Sequence, residues 1–313
     1  MEKETRRTST GSSRGAGRPS GASNNRKNGG GKQQRRKVEL LKPSIKAFIA
    51  VMGAILAILM AIVASYYCGY RYITARRADG ELVRFVGRVR ESDERPISGR
   101  LFYSNGMSAR INTETGMIEY SNDAVYLGDM VDFYRQGKGT LKLKNGDEYT
   151  GEFDNDVITG KGVYKFASGD VYEGDFIAGV KEGNGKYTYA DGSVYEGEFS
   201  GDLRHGQGKM TWSNGDSYEG EFKFGLKSGK GVYKFANGDS YEGEFEDDMR
   251  QGEGVYKWAS TGETYTGSFL KGNMHGYGTY TWQEGRQSYT GYFYNGKITA
   301  VDPYAGETGN GGN

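Results

Sequence analysis

Tyrosine recurs every 23 residues along the second half of this chain, at Tyr126, Tyr149, Tyr172, Tyr195, Tyr218 and Tyr241, and Tyr265 and Tyr289 follow at intervals of 24. A fixed period of this length marks a repeat architecture, in which one supersecondary unit is copied and stacked, so it takes precedence over any single motif. Each tyrosine opens a Tyr-x-Gly-x-Phe segment, as in Tyr172-Glu-Gly-Asp-Phe176 and Tyr241-Glu-Gly-Glu-Phe245. Eleven residues after each of the first seven comes Gly-x-Gly followed by alternating large apolar residues, as in Gly183-Asn-Gly-Lys-Tyr-Thr-Tyr189 and Gly206-Gln-Gly-Lys-Met-Thr-Trp212. Most copies close on a turn signal: Asn145-Gly146, Asp191-Gly192, Asn214-Gly215, Asn237-Gly238.

Every copy reads as two short strands with period-two alternation. On the first, Tyr, Gly and Phe share one face and Glu or Asp takes the other. On the second, Gly, Tyr and Phe or Trp share a face, with Lys, Thr or Val opposite. Asx-Gly tolerates positive φ at both positions of a two-residue turn and predicts a tight hairpin there. A glycine beside an aromatic lets the ring lie across the backbone. One copy cannot bury its aromatic face alone, so stacked copies must supply the core. The expected product is all-β, an elongated array of antiparallel β-hairpins. At about 4.8 Å per strand, seven full copies extend roughly 65–70 Å.

The repeats resemble the MORN (membrane occupation and recognition nexus) family, whose signature is this Tyr-x-Gly-x-Phe and Gly-x-Gly pair. The resemblance covers 126–298 and implies an array used for protein interaction, self-association or phospholipid contact. It carries over no catalytic residue, and no cofactor is expected. Met130 stands at the Phe position of the first clear copy. Upstream, Phe85-Val-Gly87 echoes the opening motif, and Glu114-Thr-Gly116 and Tyr120-Ser-Asn122 keep the register. Residues 71–125 are therefore a juxtamembrane region whose part from 80 holds one or two eroded copies capping the array, and 299–313 is a polar C-terminal tail.

The first third differs in kind. Residues 1–45 are rich in Ser, Gly, Asn, Arg and Lys and nearly free of large apolar side chains, a composition that predicts a basic disordered tail. Residues 47–68 then supply 22 positions without a charge, inside a segment 46–70. As a helix that run covers about 33 Å, enough for the hydrocarbon core of a bilayer. It is too long for a cleaved signal and lacks the small-x-small exit, so it reads as a single-pass anchor. Lys32, Arg35, Arg36, Lys37, Lys42 and Lys46 crowd its N-terminal side against Arg71, Arg76 and Arg77 beyond it. The positive-inside bias puts the basic N-terminus in the cytoplasm and the repeats on the extracytoplasmic side.

The formal net charge of +1 hides this asymmetry. Residues 1–46 hold 13 Lys/Arg against three Glu, whereas everything beyond them nets −9. An acidic array argues against anionic phospholipid and against nucleic acid as its partner. Cys68 is the single cysteine, so no intrachain disulfide forms. An inert buried thiol is the expectation there. His205 and His275, the two histidines, precede a Gly-x-Gly at a position that also takes Gln136, Thr159, Glu182, Ser228 and Gln251, which reads as a tolerant loop rather than a ligand. Gly-x-Gly is no phosphate loop, because it leads into a strand.

One further pattern is regular enough to matter. Glu173, Asp175, Glu196, Glu198, Glu219, Glu221, Glu242 and Glu244 should form an acidic ladder on one face, with Lys165, Lys186, Lys209, Lys234 and Lys257 sharing it. Cross-strand charge pairing explains it better than divalent-cation binding, since calcium loops gather oxygens around one point. The functional expectation is a membrane-anchored scaffold without catalysis, presenting a repetitive surface to a protein or an envelope polymer. The alternative is a phospholipid-binding module. End-to-end homo-association through an unpaired terminal strand is a further expectation.

Overall fold

The computed structural model describes residues 45–77, 80–282 and 287–301. The expectations for the basic tail, and for most of the C-terminal tail, lie outside the described residues. The apolar segment is one helix, α1 (Ile45–Tyr67). Its stretch Lys46–Tyr67, with a mean hydropathy of 2.8, is long and apolar enough to cross a membrane, and its side chains are exposed. Cys68, just past its end, is exposed as well, so the buried thiol expected there is corrected.

Among the described residues, 21 strands follow from Tyr70 to Thr299 in one open antiparallel sheet. Each pairs with its neighbours in sequence, so the sheet is a plain meander. The expected array of β-hairpins is what the structure contains. A representative copy has strands Val171–Ile177 and Val180–Thr188. Tyr172 faces Tyr187 in its own copy and Tyr164 in the copy before, while Gly174 faces Gly185 and Gly162. The repeat therefore draws straight lines of like residues across the sheet.

The turns sit differently from the expectation. At Asn145-Gly146 only the glycine has positive φ, and the Leu143 and Asp147 backbones close around it. The two-residue turns with both φ positive lie at the other end of the strands, at Asn155-Asp156, Ala178-Gly179, Gly201-Asp202, Phe224-Gly225 and Asp247-Asp248. This is the type I′ geometry that matches the right-handed twist of a hairpin. Each such hairpin also carries a bulge at Gly-x-Gly. Its first glycine sits at φ between 57° and 69° from Gly137 through Gly252, a conformation that disfavours any Cβ. The second glycine has a separate reason, the ring that lies on it.

One face of the sheet makes the core without a second layer. The seven opening tyrosines from Tyr126 to Tyr265 are at most 1% exposed. Each lies across two glycines: a Cβ on Gly208 would stand 2.6 Å from Cε2 of Tyr195, and one on Gly254 equally close to Tyr241. The hydroxyl then reaches a carbonyl, as when Tyr195 donates to the Glu198 oxygen at 2.9 Å. The phenylalanines stand edge-on between successive tyrosines. Phe199 meets Tyr172 and Tyr195 at 5.1 Å each, and Phe222 meets Tyr195 and Tyr218 at 5.1 Å. Such edge-to-face pairs contribute about 0.5–1.5 kcal/mol each beyond the area they bury, and every one that crosses copies ties neighbours together.

In the strands before Tyr126, Phe85 takes the tyrosine's place: its ring lies against both Gly87 and Gly99, which face each other. Lacking a hydroxyl, it gains no carbonyl bond, and Val83, Leu101, Ile111 and Ile118 complete an aliphatic core there. Arg77 is buried, stacked 3.9 Å over the Tyr134 ring, and ion-paired with Asp156 and Glu81. Asp156 also binds Arg135 at 3.0 Å, so the first hairpin is clasped to a turn of the repeats.

Candidate functional site

The face opposite the tyrosines takes no part in the core, and the acidic ladder projects from it. Two lines of side chains cross it. In the central line Val163, Glu173, Lys186, Glu196, Lys209, Glu219 and Val232 oppose one another strand by strand. Lys186 pairs with Glu196 at 2.7 Å and Lys209 with Glu219 at 3.9 Å. Where charges give way to threonines, Thr140 and Thr150 share a hydrogen bond of 3.0 Å. Exposed pairs like these contribute a few tenths of a kcal/mol and keep a flat surface soluble.

The second line holds Glu152, Asp175, Glu198, Glu221 and Glu244, beside the bulge. Asp175 takes Lys161 at 2.8 Å, Glu198 accepts the N–H of Gln207 at 2.8 Å and Glu221 that of Lys230 at 3.3 Å. Part of the ladder is thus spent on satisfying the bulge. Of the lysines expected on this face, Lys165 pairs with Glu148 at 3.3 Å, while Lys234 and Lys257 stand opposite serines. Between the lines runs an open groove of about 780 Å³, floored by Val232, Val255 and the glycine line and walled by Lys209, Lys230, Glu242 and Glu244. Its chemistry is charge complementarity along a line, with no convergence on one point.

His205 and His275 are on strands, Leu203–Thr211 and Asn273–Trp282, which corrects the loop expected for them. Their position lies at the bulge, and its side chain reaches the type I′ turn of the following copy. Gln136 accepts from the N–H of Asn155, Glu182 from Gly201 and Gln251 from Lys271, each at 2.9–3.0 Å. His205 instead stands 6.2 Å from the Phe224 ring, and His275 is buried 5.1 Å from the Tyr294 ring. Three of the residues found at this position thus cap the following turn, and the two histidines pack beside an aromatic ring.

On the tyrosine face, a second aromatic row runs along the Asx-Gly margin. Trp212, Trp258 and Trp282 belong to it and are half-buried. Trp212 packs on Tyr233 at 5.3 Å, and Trp258 on Tyr256 at 4.5 Å. What sequence reasoning missed is the aspartate after the turn glycine. Asp147, Asp170, Asp216 and Asp239 accept hydroxyls from Tyr164, Tyr187, Tyr233 and Tyr256 at 2.7–3.0 Å. The signal was present as an acid two residues before Tyr149, Tyr172, Tyr218, Tyr241 and Tyr265. Also unread were Arg135, Lys181, Arg204, Lys227 and Arg250, which lie over the buried rings at about 5–6 Å.

A family profile described as MORN repeat matches residues 149–171, 172–194, 195–217, 218–240, 241–262 and 265–285. The match begins after the copy in which Met130 replaces Phe. Among curated proteins nothing matches the chain. Solved structures similar to it include the TCP10 domain of Danio rerio CPAP in complex with a peptide of Danio rerio STIL, at 10% identity over 71% of this chain and 100% of that one, with a TM-score of 0.36. The same domain without the peptide matches at 12% identity over 63% and 94%, with a TM-score of 0.33. A streptogramin B lyase matches at 11% identity over 73% and 85%, with a TM-score of 0.16. At those scores the three likenesses carry no weight for function.

Proposed function

Residues 149–285 are six consecutive MORN repeats, and from that premise we propose a single-pass membrane scaffold: α1 anchors the chain, the repeats present a regular surface to a protein or an envelope polymer, and no chemistry is performed. The observation that carries this is the division of labour between the two faces. Tyr, Gly and Phe of the repeats close the core on one side, so the other side can vary without disturbing that core, and it is the side that holds the groove. Nineteen basic against 27 acidic residues in 126–298 favour a basic or neutral partner over anionic lipid.

The anchor rests on the length and apolarity of Lys46–Tyr67, and the outward placement of the repeats on the flanking charges. Both are tested by the single cysteine. In a Cys68→Ser background, a cysteine placed at the exposed turn residue Asn214 should react with a membrane-impermeant maleimide on intact cells, and the chain should resist extraction by carbonate. Reaction only after lysis would reverse the orientation. Release by carbonate would remove the anchor.

A further inference from the structure

Along the type I′ margin of the outer face runs an exposed apolar line. Val157, Ile177, Leu203, Leu226 and Met249 are 39–62% exposed, and the turn residue Phe224 reaches 69%. Ile177 faces Val180, and Leu203 faces Ser200, both on the side opposite the phenylalanines. The line is regular, one exposed apolar residue per copy, with Asp154, Ser200, Lys223 and Glu246 facing four of its members, and a repeated apolar row on a free surface marks an interaction site more often than randomly scattered side chains do. Asp175 stands two positions inward of Ile177, about 7 Å away, and Glu152, Glu198, Glu221 and Glu244 stand two positions inward of Asp154, Ser200, Lys223 and Glu246, the strand partners of Val157, Leu203, Leu226 and Met249. Apolar and acidic lines side by side call for a partner with an apolar edge next to a basic one.

We propose that this margin binds an α-helical, basic, amphipathic segment of a partner protein, laid across the strands with one apolar residue per heptad. This rests on the scaffold reading above and names its partner class. The pitch supports a helix. Two strands per copy advance about 9.6 Å, and seven residues of α-helix advance about 10.5 Å, so each copy meets one heptad. An extended strand would spend three residues per copy, which turns successive side chains to opposite faces. A helix about 10–12 Å across also covers both lines at once. The chain's own basic residues 1–46 are excluded as occupant, because beyond Met1 their large apolar side chains, Val38, Leu40, Leu41 and Ile45, are crowded into eight residues and cannot meet successive copies one heptad apart.

The test uses the full chain in neutral lipid nanodiscs and a fluorescent synthetic peptide of about four heptads, with leucine at every seventh position and flanking lysines. Wild-type chain should bind it, with helical circular dichroism appearing on binding. The exposed triple variant Leu203→Ser, Leu226→Ser, Met249→Ser should weaken binding at least about tenfold. So should Glu221→Gln with Glu244→Gln; at position 221 the amide oxygen can still accept the Lys230 N–H. Empty nanodiscs, a scrambled peptide and a peptide of residues 1–46 should bind weakly. Absence of binding, equal binding by the triple variant or the scramble, or undiminished binding of a proline-interrupted peptide would each overturn the proposal. Photo-crosslinking in cells separates it from the scaffold reading. Polypeptide captured equally by wild type and triple variant leaves the scaffold standing and removes this margin, whereas no capture anywhere on the array removes both.

Discussion

The phenol of Tyr187 donates a 2.8 Å hydrogen bond to the carboxylate of Asp170, seventeen residues earlier, and the other oxygen of that carboxylate takes the backbone N–H of Ala190. The triad joins the turn of one copy to the second strand of the next. It recurs at Tyr164 with Asp147, Tyr233 with Asp216 and Tyr256 with Asp239, and Glu263 receives the Tyr280 hydroxyl at 2.9 Å. Where the tyrosine is missing, so is the acid: Met210 accompanies Ser193, and Leu141 accompanies Ala124. A buried carboxylate without its donor, or a phenol without its acceptor, is worse than neither, so the two positions change together.

Tyr233→Phe should therefore cost about 1 kcal/mol, and Asp216→Ala more, since the Ala236 N–H also loses its acceptor. The double change Asp170→Ser with Tyr187→Met copies a pair the chain already uses and should cost less than the two single changes together. Urea unfolding followed by near-ultraviolet circular dichroism gives the four corners of the cycle. Strict additivity would show the pair is no unit.

Gly208→Ala should be among the most damaging small substitutions in the array. The new Cβ would lie 2.6 Å from Cε2 of Tyr195, a ring that is fully buried and pinned by Phe199 and Phe222. Overpacking of this kind costs about 1–3 kcal/mol. Tyr195→Leu in the same chain should recover part of it. Gly192→Ala is the control, because open space surrounds that Cβ and only φ of +87° opposes it, at about 1–2 kcal/mol.

The period, the two faces, the strand pairing and the glycines under rings were legible because each follows from alternation inside one copy. The turns were not. Asn145-Gly146 and Asn155-Asp156 look equally fit for a two-residue turn, and the choice depends on a bulge at Gly160 set by pairing with the neighbouring strand. Phe224-Gly225 carries no turn signal at all before its glycine. The roles of Asp170 and of the position of Gln136 were hidden for a related reason: both act on the following copy, about twenty residues away.

Stability should fall at both ends of the pH scale, for opposite reasons. Asp147 is held below the usual carboxyl range, first by the Ala167 N–H and then by Asn145 and Tyr164; for Asp216 the Tyr233 hydroxyl comes first and the Ala236 N–H second. A lowered carboxyl stabilises above its unfolded value near 3.9, and that contribution is lost as pH drops through the folded value, so the urea midpoint should decline below about pH 4. Tyr149, Tyr172 and Tyr241 are pushed up to about 12, chiefly by burial. A raised phenol stabilises fully below about pH 10 and is lost as pH climbs through about 12. Asp216→Asn should flatten part of the acid limb and leave the alkaline limb unchanged. A midpoint independent of pH between 2 and 4 would contradict the acid assignment.

Because each copy contacts only its neighbours, deleting a whole one should be tolerated. Removing 195–217 brings Phe222 to the place of Phe199 against Tyr172 and sets Glu219 opposite Lys186, so both the ring ladder and the charged line close up. It also leaves Tyr233 above Ser193, a phenol over a residue that lacks the carboxylate. The deletion should keep the per-residue β-sheet dichroism, with a melting midpoint within about 5 °C of the parent, and adding Ser193→Asp should recover part of the difference. Removing one strand and turn, 201–211, is a smaller cut with a larger effect. Tyr195 loses Gly208 beneath its ring and meets a second Tyr-x-Gly-x-Phe strand head to tail, which no register satisfies. That variant should aggregate or unfold under size-exclusion chromatography. Equal tolerance of both deletions would mean that copies are not the units that fold.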